Sequence, residues 1–128
     1  MQKEIEEFCP DFYEWPVRWH GVKEDIPVGE RILGCFEPFV ADLIFSNLSD
    51  RTKKRHLDNL WILGGEIVRK ISINDEYNQD IEQITKESVD DEGGPFCRHL
   101  HTDEEIRSFD TTCRKLAKHF RSPPGPIG

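Results

Sequence analysis

The sequence predicts an all-α protein, a compact bundle of four to five helices forming one domain. Three observations carry that expectation: apolar residues recur at steps of three and four along separate stretches, no stretch alternates at the period of a strand, and 128 residues at 15.0 kDa leave room for a single core. Charged residues make up 33% of the chain and mean hydropathy is −0.64, so much of each helix must face water. No run approaches the roughly 18 apolar residues that cross a bilayer. The opening MQKEIEEF carries acids where a secretory signal carries bases, so a cytoplasmic protein without membrane contact is expected.

Residues 1–26 begin with a short amphipathic turn and continue as an irregular aromatic arm. Phe8, Phe12, Tyr13, Trp15 and Trp19 cluster around Cys9-Pro10 and Trp15-Pro16, and each proline disfavours helix at the residue before it. These rings either cap the core or form a docking surface for a partner. The helical domain is expected over 27–121.

From Pro27 to Leu48 a helix is predicted by Ile32, Leu33, Phe36, Phe39, Val40, Leu43 and Ile44, which give it a wide buried face. Pro38 removes one backbone donor, so a kink or break is expected near Glu37. Ser49 then offers a hydroxyl cap to a second helix, with Asp50 in its first turn. At 100° per residue Leu57, Leu60, Trp61, Gly64, Ile67, Val68 and Ile71 share one arc, the expected buried stripe. Gly64 on that stripe implies either close approach by another helix or ring, or a break.

The opposite side of this second helix holds Arg51, Arg55, Asp58, Ile62 and Arg69, with Lys54 at its margin. Residues 49–71 hold six Lys or Arg against three acids, a net +3 within a chain of net charge −8, so the remainder carries −11. Residues 74–94 reverse the sign, with eight acids and one lysine around a short helix from about Asp80 to Ser88 that points Ile81 and Ile84 inward. This acidic run is either a solvated face or a shield folded over the basic helix. Gly93-Gly94-Pro95 reads as a turn. Thr102 with Glu105 is a capping box, opening a last helix whose buried line is Ile106, Phe109, Cys113, Leu116 and Phe120. SPPGPIG at 122–128 reads as a loose tail.

Chemistry is sparse. Cys9, Cys35, Cys97 and Cys113 lack C-x-x-C spacing, so reduced thiols are expected rather than a disulfide framework. Cys97, His99 and His101 in CRHLH are soft ligands, but not at the spacing of a zinc motif, and no metal or other cofactor is expected. No nucleophile elbow or phosphate-binding loop is present, and paired carboxylates without a cleft are only surface charges. No enzyme is indicated.

PFVADLIFSNLSDRTKKRHLDNLWILGGEIVRKI, residues 38–71, resembles the N-terminal core-binding domain of tyrosine recombinases and phage-type integrases. In that family a helix ends in Leu-Ser, a Thr follows three residues later, and a basic helix with spaced leucines comes next; Ser49, Thr52, Arg55, Leu57 and Leu60 stand at the matching places. HLDNLWILGGEIVR, DDEGGPF and FDTTCRKLAKHF are also similar to segments of uncharacterised bacterial stand-alone core-binding-like proteins, a likeness covering most of 28–121. The resemblance implies a core-binding-like fold and a DNA-facing helix. It does not extend to catalysis: none of His20, His56, His99, His101 and His119 has an Arg three residues on, and Tyr13 and Tyr77 lie outside any matching motif.

Two functions follow as expectations. One is a DNA-binding accessory module linked to recombination or mobile elements, with Arg51, Lys53, Lys54, Arg55 and Arg69 facing double-stranded DNA. Its affinity should be weak and salt-dependent, because the acidic remainder repels phosphate. The other is an acidic protein-interaction module that engages a protein partner through the aromatic arm and the acidic segment.

Overall fold

The computed structural model describes residues 1–122. Its helices are α1 (Gln2–Phe8), α2 (Trp15–Trp19), α3 (Asp25–Phe45), α4 (Asp50–Ile73), α5 (Ile81–Glu87) and α6 (Asp103–Arg121), with a 3-10 turn at Phe12–Glu14. Among the described residues there is no strand, only one isolated bridge between Asp90 and Gly93. The tail expected at 122–128 lies, beyond Ser122, outside the described residues.

Among the described residues six helices replace the expected four to five, and the difference lies in the segment read as an irregular arm. α1 stops at Phe8 because Cys9, ahead of Pro10, turns extended (φ −135°, ψ 86°). Trp15 stays helical (φ −54°, ψ −42°) although Pro16 follows it. Proline is tolerated in a first helical turn, where its missing N–H has no intrahelical acceptor, and packing of the Trp15 ring outweighs the pre-proline bias. Phe12 and Trp15 are fully buried, their rings edge-on at 4.8 Å, and Trp15 meets Trp19 at 5.7 Å. These rings therefore close the core.

α3 and α4 form the central pair: α3 packs against α1, α2, α4 and α5, and α4 packs against α2, α3 and α6. α3 buries Ile32, Leu33, Phe36, Phe39, Val40 and Leu43, as its spacing predicts. It begins at Asp25 and ends at Phe45, where Ser46 turns extended. It also runs unbroken through Pro38. Gly34 and Pro38 both lie on the exposed side, so the carbonyl that Pro38 leaves without a donor faces water.

α4 starts as expected, with Ser49 Oγ accepting the Thr52 amide at 3.2 Å. It continues without a break through Gly64, where a Cβ would stand 2.2 Å from Cζ2 of Trp19. The glycine admits an indole ring from α2, whose Nε1 donates to the Trp61 carbonyl at 3.0 Å. α5 is capped by Asp80, which accepts the Gln83 amide at 3.1 Å; Ile81 is fully buried and Ile84 half-buried. Gly93, in the expected turn, has φ +134°, and a Cβ there would meet Asp110 Oδ1 at 2.4 Å.

The Thr102–Glu105 capping box is complete: Glu105 N–H donates to Thr102 Oγ1 at 3.0 Å, and Thr102 N–H donates to Glu105 Oε1 at 3.0 Å. Phe109, Cys113 and Leu116 are buried and Phe120 is half-buried. Ile106 departs from the expected line, being 41% exposed, because the first turn of α6 projects beyond the bundle and residues 101–107 are all exposed.

Candidate nucleic-acid interface

The five cations expected to meet DNA are divided by the structure. Arg51, Lys54 and Arg55 are exposed on the first two turns of α4 and, among the described residues, form no salt bridge. Asp58 lines the same shallow hollow, so the cluster is not purely cationic. Burial first, then the nearby Asp11 carboxylate, raises the pKa of Asp58.

Lys53 corrects the expectation. It is 8% exposed, and its Nζ donates to the Ile44 carbonyl at 2.7 Å while lying 5.9 Å from the Phe8 ring centroid. A lysine in that place satisfies an end carbonyl of α3 and sits favourably at the negative end of its dipole. Arg69 is also set apart. It lies about 21 Å along α4 from Arg55 at 1.5 Å per residue, and its Nη1 is 3.4 Å from Glu66 Oε1.

The burial of α4 is rotated from the stripe the sequence predicts. His56, Asn59 and Leu63 are buried toward α6, and Trp61, expected inside, is 42% exposed. The rotation follows from a polar contact that a hydrophobic wheel does not weigh. His56 Nδ1 lies 2.7 Å from Thr112 Oγ1, and Asn59 Nδ2 donates to Thr112 Oγ1 at 2.8 Å and to the Ser108 carbonyl at 3.1 Å. This contact ties α6 to the Arg55 side of α4. Lys115, exposed one turn beyond Thr112, thereby joins the neighbourhood of Arg55. Sequence reasoning missed Lys115; a three-residue step from a polar residue on the buried face was its only signal.

The acidic segment does not lie over this end of α4. α5 packs on α3, where Arg31 pairs with Glu82, and Arg121 Nη2 meets Asp91 Oδ1 at 2.6 Å. Glu76, Ile84, Glu87 and Phe96 instead border α4 near Glu66 and Lys70.

A groove of about 390 Å³ runs along the far half of α4, lined by Trp19, Trp61, Ile62 and Ile73 with Arg69 and His99 beside them. Among the described residues no group of three or more His, Cys, Asp or Glu is placed to hold a metal ion. The CRHLH segment is divided: Cys97 is buried, its Sγ 3.6 Å from the Pro95 carbonyl, while His99 and His101 are exposed. All four cysteines are free thiols. Burial pushes Cys9 and Cys97 up to about 12, and burial likewise raises Cys35 and Cys113, so none is a ready thiolate nucleophile.

Comparison with protein-family models, curated proteins and solved structures returned no match for this chain.

Proposed function

We propose that the chain is a non-catalytic, core-binding-like helical module that binds double-stranded DNA as an accessory to recombination or to a mobile element. The observation that carries this reading is the exposed group of Arg51, Lys54 and Arg55 at the start of α4, which forms no salt bridge among the described residues, with Lys115 of α6 exposed one turn beyond the Thr112 that bonds His56. The likeness of residues 38–71 to recombinase core-binding domains supports the choice of DNA over other polyanions. Contacts of this kind position a duplex through its phosphates and carry no base readout by themselves.

Fluorescence anisotropy of a labelled duplex across a salt series tests it. Three or four phosphate contacts give a log–log salt slope of about −3 to −4, and the double variant Arg51→Ala/Arg55→Ala flattens it by about 2. Lys53→Met leaves the slope unchanged, because Lys53 is spent on the Ile44 carbonyl. Absence of association at low salt, or an unaltered slope in the double variant, overturns the reading.

A protein-interaction role is the second reading, and one observation favours it: the 42% exposure of Trp61 beside Trp19 in the far groove, a pairing of aromatic rings with an arginine that is common at binding hot spots. The arm is less suited to that role than its composition implies, since Phe12 and Trp15 are buried.

A further inference from the structure

One buried titratable group lies beneath the proposed phosphate surface. His56 is 4% exposed, and its hydrogen-bonding partner Thr112 Oγ1 already accepts from Asn59 Nδ2 at 2.8 Å. The Thr112 hydroxyl hydrogen has two acceptors within reach, His56 Nδ1 at 2.7 Å and the Ser108 carbonyl at 3.4 Å. With that hydrogen on the shorter contact, the Thr112 hydroxyl donates to Nδ1 of a neutral ring whose own proton is on Nε2. A second proton on Nδ1 requires only that the Thr112 hydroxyl turn its hydrogen toward Ser108 and accept from the imidazole instead. The contact between α4 and α6 survives protonation.

The charged groups around the ring are of one sign. Arg55 precedes His56 on α4, and Lys115 follows Thr112 by one turn on α6. Asp42 of α3 faces α6 a further turn along, its Oδ2 3.5 Å from His119 Nδ1. Lys53, also on α4, is turned to Ile44. Burial is the largest cause holding the His56 pKa below its ordinary value, followed by Lys115 and then Arg55.

We propose that His56 is the proton-linked element of this surface: a duplex bound across Arg55 and Lys115 draws a proton onto the imidazole beneath them, so binding takes up a proton and tightens as pH falls. Phosphate oxygens beside the two cations cancel the repulsion that a charged imidazole meets in the free protein. By reciprocity, whatever factor the duplex adds to proton affinity, the proton adds to duplex affinity. The inference rests on the duplex-binding reading and adds to it a direction of pH regulation.

The test follows the imidazole resonances of His56, His20 and His99 by NMR through a pH titration, free and with a short duplex at low salt, alongside anisotropy over the same pH range. With duplex, the His56 midpoint rises by about half a unit or more, beyond any rise at His20 and His99, and duplex affinity increases by about threefold for each half unit as pH falls through it. Arg55→Ala raises the His56 midpoint of the free protein and shrinks the duplex-induced rise. A duplex that binds while His56 stays in place, or shifts no more than the other histidines, overturns the inference and leaves DNA binding intact. Absence of duplex binding at every pH overturns the underlying reading as well.

Discussion

Lys53 and Arg55, two residues apart, meet opposite surroundings because a helix turns about 200° between them. One reaches into the end of α3 and the other into water, so four basic residues among the five of RTKKR are not four cations on a surface. Asp25 shows the same inversion among the acids. It is 2% exposed at the head of α3, where Oδ2 accepts the Gly21 and Val22 amides at 2.9 and 3.1 Å and Oδ1 accepts the Tyr77 hydroxyl at 2.7 Å. Burial works to raise its pKa, but the Tyr77 hydroxyl and the two amides outweigh burial, and the carboxyl is held below its ordinary 3.8. Asp25→Asn is expected to cost about 1–3 kcal/mol at pH 7, measured by urea unfolding. A depressed folded pKa gives stability that is present above the unfolded value and lost as pH falls through the folded one. The gap between wild type and Asp25→Asn is therefore constant from neutral pH to about pH 5 and shrinks below pH 4. An equal gap at pH 7 and pH 3 would contradict the assignment.

Among the elements, α4 was legible in its start and the least legible in its faces. Ser49 defines the start, a local matter of capping, while the run through Gly64, where a break was the other expectation, is unbroken because the Trp19 ring fills the space. Which side is buried depends on neighbours. α6 approaches on the His56–Asn59 side through hydrogen bonds, and α2 approaches at Gly64 through Trp19, leaving Trp61 between them on the surface. Gly64→Ala tests the second approach. The alanine favours the helix by about 1 kcal/mol, but its methyl occupies the place of the Trp19 ring, and a net loss of about 1–3 kcal/mol is expected. The Trp19 indole N–H resonance should shift as its bond to the Trp61 carbonyl is lost, and a stabilised variant with that resonance unmoved would show that the ring is not held there.

At the scale of the whole molecule, the decisive feature is the separation of one cationic end from an acidic remainder. Arg51, Lys54 and Arg55 cluster at the beginning of α4, while α5 and the segment that follows it keep their acids near α3 and the far half of α4. A net charge of −8 repels both itself and a duplex. Raising salt from about 50 to 200 mM, which shortens the screening length, should therefore raise the melting temperature of the free protein while weakening the duplex binding proposed for it. Thermal unfolding and anisotropy measured on the same samples check the two opposite trends, and a fall in both would mean that specific ion pairs, rather than net repulsion, dominate the fold.

The sequence by itself determined the helical class, the caps at Ser49 and Thr102 and the turn at Gly93, and it narrowed Gly64 to a close approach or a break, because capping, period and steric permissiveness act over a few neighbouring residues. It did not determine that the segment before α3 is mostly helical, that Trp61 and Ile106 face outward, that Lys53 faces inward, or that Lys115 and Arg55 both act on His56. Those were decided by tertiary structure, since the angular setting of one helix against another depends on contacts between residues far apart in the chain, here the bonds joining His56 and Asn59 to Thr112.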